Sequence, residues 1–317
     1  METLTPLLVL STIGSLFLLF NVLKLLKIVT FPILNHSKLS KYKTENSYAL
    51  VTGASEGIGK EFAFQLAKKG FNLIISARTL EKLETIKKEI ELETKVKVIV
   101  IPFDFSTTEE RNFLEFEKKI ENLNLTVLIN NVAMNHSIPT PFLEEDEKLV
   151  QNIINCNITN TLKVTKIFLN LAKRENRKGL VVNVGSVAGL APSAYLTVYA
   201  ASKSFLRSWS IGLAHEVKSQ GFHVEHVNTY FVVSNMSKIR KPSFTTPTPR
   251  NYVKSVLSQV GNSFSSTPYF SHAVLGYVIG FFSEKFLAST SASMHLNIRN
   301  RALRKRERES KNVKKEE

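Results

Sequence analysis

The chain alternates between short apolar runs and longer amphipathic stretches. Residues 48–52 form an apolar run of strand length. A helical pattern follows to about residue 69, carried by Phe62 and Leu66, with Gly70 as its stop. Further strand-length runs lie at 73–77, 96–101, 126–129, 180–184 and 224–230. Amphipathic helical patterns lie at 109–123, at 146–172 as one long helix, and from Tyr199 to about residue 220. Strands separated by helices predict a parallel, doubly wound α/β sheet covered on both faces. Beyond residue 234 the pattern is less regular. Residues 243–249 read as a Pro/Thr loop bordering a cleft, and 252–260 as a short helix. Residues 273–282 are apolar but too short to span a bilayer. Two readings of them stand side by side: a core or oligomer-interface segment, or an element dipping into a membrane.

Residues 4–23 contain no charged residue. Twenty helical residues reach roughly 30 Å, the thickness of a bilayer core. A cleaved signal peptide would carry a basic start and a small-residue cleavage site, and neither is present. The segment therefore reads as a membrane anchor. Lys24, Lys27, Lys38, Lys41 and Lys43 follow it, which places the rest of the chain in the cytoplasm. The net charge of +15 over 317 residues raises the question of nucleic acid. The excess sits at the ends, however: five lysines against one acid in 21–45, and nine Lys/Arg against four Glu in 299–317. Basic segments beside apolar ones suit a membrane surface, and no nucleic-acid-binding motif is present. A single cysteine, Cys156, excludes a disulfide framework and reads as a buried small hydrophobe in a reducing compartment.

The candidate chemistry falls at the ends of the strand-length runs. Gly53-Ala54-Ser55-Glu56-Gly57-Ile58-Gly59 joins the first strand to the first helix of the sheet. Glycines let a backbone approach a pyrophosphate, and a helix N-terminus supplies N–H groups and dipole. After the second strand stands Arg78, with no Asp or Glu where ribose hydroxyls would be held, so Arg78 is placed for a ribose phosphate. Asp104 follows the third strand, placed for adenine, and Asn130-Asn131 ends the fourth. Ser186 follows the fifth. Tyr199 stands thirteen residues later, and Lys203 four beyond that, on the same helix face. A nearby ammonium is expected to pull the phenol's pKa from about 10 toward working pH. A serine hydroxyl at the strand end can hold a carbonyl oxygen that the phenol protonates.

Together, TGASEGIG at 52–59, NNVA at 130–133, Ser186, Tyr199 and Lys203 resemble the short-chain dehydrogenase/reductase family over roughly residues 48–234. NHSIPTPFLE at 135–144, YAASKSFLRSWS at 199–210 and MSKIRKPSF at 236–244 resemble the branch that reduces very-long-chain 3-oxoacyl-CoA in the endoplasmic reticulum. The resemblance implies a Rossmann-type fold and NADPH as cofactor. It implies Tyr199 as proton donor, Lys203 as the group that lowers its pKa and binds the nicotinamide ribose, and Ser186 as the holder of the substrate oxygen. Asn157 would organise a water relay to the lysine. Gly53, Ser55, Gly57, Ile58 and Gly59 would cradle the phosphates. Arg78, Asp104, Asn130 and Asn131 would hold the adenosine side, and Val232 and Ser234 the nicotinamide carboxamide. No metal is implied. The implied partners are the membrane, the acyl-CoA and other fatty-acid elongation enzymes. Lys314-Lys315 near the C-terminus is similar to a dilysine signal for retrieval to the endoplasmic reticulum.

Three departures stand out: Ala133 where the family has glycine, Thr229-Tyr230 where many members have Pro-Gly, and the acidic Glu56 inside the glycine turn. The expected organisation is an anchor at 4–23, an NADP-binding reductase domain at 45–240, a substrate-side or membrane-associated region at 241–298, and a basic tail at 299–317. Two other readings share this fold: a steroid or retinoid ketone reductase, and a catalytically silent membrane scaffold.

Overall fold

The computed structural model describes residues 4–316, and the side chains of 6–311. The side chains of Lys314 and Lys315 lie outside the described residues. In chain order the elements are α1 (Leu4–Leu34), β1 (Tyr48–Thr52), α2 (Gly57–Lys68), β2 (Asn72–Ala77), α3 (Leu80–Glu93), β3 (Val98–Pro102), α4 (Glu110–Ile120), β4 (Leu125–Asn130) and α5 (Glu147–Ile154). There follow α6 (Asn160–Arg174), β5 (Gly179–Val184), α7 (Thr197–Val217), β6 (Phe222–Val227), α8 (Pro249–Gln259), β7 (Ser265–Ser266), α9 (Phe270–Ile279) and α10 (Glu284–Glu316).

The strands form one parallel sheet in the order β3-β2-β1-β4-β5-β6-β7. Both faces are covered, which is why the strands read as unbroken apolar runs. Along β1, Ala49 and Val51 face one core layer, while Tyr48 and Leu50 face the other. The first layer takes α2, α3 and α8 through Phe62, Leu66, Leu83, Ile86, Tyr252 and Val256. The second takes α4, α6 and α7 through Phe113, Phe116, Val164, Phe168 and Ala214. Phe103, Phe113 and Phe116 lock it edge to face, with ring centres about 5 Å apart. Cys156 is buried in this layer, and burial pushes its thiol up to about 12, so it behaves as the small hydrophobe expected.

Four differences from the sequence pattern have local causes. The expected long helix over 146–172 is divided by a π-helical turn at Asn155–Thr159. β6 stops at Val227 rather than Tyr230: Asn228 N–H makes the last bond to β7, at Ser266 O, and two residues on Tyr230 N–H is taken by His272 Nδ1. The two-residue β7 has no apolar run to announce it. It is held by the buried Glu225 carboxylate, which accepts from Ser266 Oγ at 2.6 Å and Gly261 N–H at 2.7 Å. The N-terminal helix continues past residue 23, through Lys24 and Lys27, to Leu34. Its Pro6–Leu34 portion holds an 18-residue window of mean hydropathy 2.1, and by length and composition it can cross a membrane.

The basic stretch at 299–317 is not a separate tail through its described part. It is the continuation of α10, which starts at Glu284 and packs back on the sheet's loops. His295 Nδ1 lies 2.7 Å from Ala194 O, and Arg299 donates to Pro139 O at 3.0 Å and pairs with Glu144.

Candidate active site

Strand order reverses between β1 and β4, and a crevice opens there beyond the C-terminal strand ends. The glycine turn, Asn131 and the segment after β5 all converge on it. At the turn, Gly53 and Gly57 take φ of +66° and +58°. A Cβ on Gly59 would stand 2.2 Å from Gly53 O, so the helix N-terminus presses directly on the turn. Asn131 fixes this arrangement. Its Nδ2 donates to Thr52 O at 3.0 Å and Gly53 O at 3.1 Å, while Thr52 Oγ1 accepts from Asn131 N–H. The result is a backbone cradle open to a diphosphate at the start of α2, so the residues present fit a dinucleotide.

Opposite the cradle, α7 carries Tyr199 and Lys203, both buried. Lys203 Nζ donates to Val184 O at 3.0 Å and stands 5.9 Å from the Tyr199 ring centre. Burial lowers the ammonium to about 8. Burial also raises the Tyr199 phenol above its ordinary value, and interaction with the Ser186 hydroxyl pulls it back down. The sequence led us to expect Lys203 as the group that lowers the phenol. In this geometry the amine donates to the Val184 carbonyl, and the Ser186 hydroxyl adds its own lowering influence on the phenol.

A set of short contacts holds this cluster together. Ser186 stands two residues past β5 in extended conformation and accepts from Ala188 N–H at 3.2 Å. Gly189, three residues on, lies against α7 itself: a Cβ there would stand 2.6 Å from the Lys203 carbonyl carbon. Ser204 Oγ donates to Gly189 O at 3.0 Å. From the other side, Asn157 in the π-turn accepts from Met134 N–H at 2.7 Å and donates to Met134 O at 2.9 Å and Ser202 Oγ at 3.0 Å. Ser202 Oγ in turn donates to Tyr199 O at 2.7 Å. One asparagine thus joins the loop after β4 to the tyrosine helix.

The chain belongs to the short chain dehydrogenase family. The family model matches residues 47–243. The chain is 45% identical over 278 residues to a very-long-chain 3-oxoacyl-CoA reductase of Scheffersomyces stipitis, covering 82% of this chain and 80% of that one. It is 40% identical over 314 residues to one of Neurospora crassa, covering 95% and 94%. Among solved structures, a bulky-bulky ketone specific alcohol dehydrogenase from Comamonas testosteroni superposes with a TM-score of 0.62 at 27% identity, over 70% of this chain and 85% of that one.

Within this dehydrogenase fold the remaining expected residues divide. Ser55 and Ile58 line the cradle turn, half-buried. Arg78 is exposed at the end of β2 and makes no ion pair among the described residues. Asp104 is exposed, with one oxygen accepting from Ser106 N–H and Oγ. At Asn130 only the backbone is left to face the adenosine side. Its side-chain amide is turned into the core, donating to Thr165 Oγ1 and Asn183 Oδ1 at 2.8 Å each. Ser234 lies beside the cradle, its Cβ 3.7 Å from where a Gly57 Cβ would stand, while Val232 is core. The acidic Glu56 is accommodated by Asn235 Nδ2 at 2.8 Å and Lys82 at 3.7 Å.

Other contributors went unread in the sequence. His136 Nε2 and Glu145 Oε1 meet at 2.9 Å, almost fully buried, and brace the loop that follows Met134. Only His136 falls in the NHSIPTPFLE segment, and Glu145 stands one residue beyond it. Ser202 and Gly189 carried no signal of their own, since their roles come from what they touch. For Gly189 the consequence is testable. Gly189→Ala should force the Ser186 loop away from α7 and lower turnover on the order of 10²-fold, with cofactor affinity, read by fluorescence titration, largely kept. Wild-type turnover in the variant would mean that the close contact is not what sets Ser186 against Tyr199.

Proposed function

We propose that this protein reduces very-long-chain 3-oxoacyl-CoA to 3-hydroxyacyl-CoA with NADPH, as a step of fatty-acid elongation at the endoplasmic-reticulum membrane. The observation that carries this reading is a buried Ser186–Tyr199–Lys203 cluster, set at the sheet's switch point in a chain 45% identical to a reductase of that name. The nicotinamide dinucleotide, when bound, supplies the hydride. The Gly53–Gly59 cradle would take its diphosphate and the exposed Arg78 its ribose phosphate.

Ser186 and Tyr199 hold the substrate's 3-keto oxygen between two hydroxyls. Burial keeps the phenol protonated at neutral pH, which is the form a reductase needs. As negative charge grows on the oxygen, Tyr199 gives up its proton there, while Ser186 keeps the oxygen in place. The phenolate left behind is stabilised by the Lys203 ammonium one helical turn away. Asn157 acts as a positioning residue: its side chain is fully engaged by Met134 and Ser202, so its part in any relay falls to the π-turn it occupies.

Anchoring suits the substrate. Each buried methylene favours lipid by about 0.8 kcal/mol, so a very long acyl chain resides in the bilayer and the enzyme must meet it there. We assign α1 as the anchor, with Lys24 and Lys27 at the cytosolic boundary.

Four measurements test this reading. Tyr199→Phe should abolish reduction of a 3-oxoacyl-CoA while NADPH still binds; retained turnover in a nicotinamide-absorbance assay sinks the mechanism. Steroid ketones run in the same assay test substrate class, and faster reduction of these than of any 3-oxoacyl-CoA would displace the acyl-CoA assignment. Arg78→Ala should lower the preference for NADPH over NADH by about tenfold to a hundredfold, the value of a hydrogen bond to a charged group; an unchanged ratio removes Arg78 from the phosphate site. Since burial lowers Lys203 to about 8, its cation is present below that pH and lost above it. kcat/KM should therefore fall as pH rises through about 8, and a profile still rising there would contradict the role given to the ammonium.

A further inference from the structure

We infer that the bilayer covers a second patch of this protein, the elbow where α9 turns into α10. The inference rests on the reading of α1 as a membrane span. α9 starts inside the body: Ser271 and His272 are buried, and Ser271 Oγ donates to Phe244 O at 2.8 Å. It then runs out alongside α1, where Tyr277 Oη donates to Asn21 Oδ1 at 3.2 Å. Asn21 stands three residues before Lys24, about 4.5 Å along the helix axis. Lys24 is the first charge after the apolar stretch, so it marks the headgroup level. The hydrogen bond therefore sets Tyr277 at the membrane boundary, the depth at which tyrosine is enriched.

The elbow lies beyond Tyr277. Phe281 and Phe282 are 55% and 45% exposed, and Phe286, stacked on Phe282 with ring centres 4.8 Å apart, is 50% exposed. No Asp, Glu, Lys or Arg occurs from Phe270 until Glu284. This apolar patch is continuous with α1, and its occupant follows from that continuity: acyl tails that surround α1 also meet the elbow. The patch is tied to the crevice as well. Gly276 packs so closely on Tyr230 that a Cβ there would stand 2.9 Å from the tyrosine Oη, and Tyr230 is two residues from Val232. α9 thus joins the elbow directly to the segment that follows β6.

The test uses the full-length chain in phosphatidylcholine vesicles with and without brominated acyl chains, which quench tryptophan. In a Trp209→Phe background, single reporters are placed at Phe282→Trp, Phe281→Trp, Leu16→Trp and, on α3 by the opposite edge of the sheet, Leu92→Trp. The inference expects loss of emission in brominated vesicles from positions 281, 282 and 16, and none from position 92. Quenching at 16 alone keeps the anchor and overturns the elbow. A blue-shifted but unquenched signal at 281 and 282 means that protein, such as a second copy, covers the patch, and overturns it too. No quenching at 16 removes the membrane span and this inference with it.

Discussion

Everything in the crevice depends on burying a tyrosine and a lysine together, one turn apart on α7, without letting them neutralise each other. The same desolvation acts on both and pushes them in opposite directions. The phenol rises and so stays protonated, while the ammonium falls to about 8 and so remains charged at neutral pH with little to spare. A phenol ready to give a proton and a cation ready to receive the resulting charge are products of one environment. The cost of that environment is moderated by local hydrogen bonds: Val184 O accepts from the amine, and Ser186 interacts with the phenol.

Such an arrangement needs a stiff frame, and the frame is polar. From β4 into β5 and α7 runs a chain of buried side chains in which Asn130 donates to Asn183 and Asn183 to Ser210. A second link runs from Met134 through Asn157 and Ser202 to the Tyr199 backbone. Each member has its partner, so the network fixes strand ends and helix against one another instead of weakening the core. Buried asparagines at strand ends are thus frame members, and this explains why Asn130, placed by sequence near the cofactor, offers its side chain elsewhere.

The strands were legible because both faces of the sheet are buried, so β1, β2, β4 and β5 read as unbroken apolar runs. Tyr199 and Lys203 were legible because a four-residue spacing means one thing on a helix. What escaped notice depends on long-range contacts. The π-turn at Asn155 leaves no mark in an amphipathic period, β7 is two serines tied down by Glu225, and the close approach of Gly189 exists only once α7 is in place. The direction of the Tyr199 shift was misjudged for a related reason. Spacing reveals the neighbouring cation, but not that its amine turns to Val184, nor how deeply the pair is buried.

The chain's charge excess looks different once α10 is traced. Composition alone assigned residues 299–317 to a basic tail, yet Arg299 is nearly enclosed. It bonds Pro139 O and pairs with Glu144 on the loop that follows β4. Nearby, Ser291 donates to Pro192 O and His295 meets Ala194 O on the loop between Ser186 and Tyr199. One helix therefore straps both loops that flank the crevice on the side away from the cradle. Its own start is joined to α9, and through Tyr277 to α1. The strap and α1 are thus linked parts of one path, so the proposed placement of α1 in a bilayer would also set which way this side of the crevice faces.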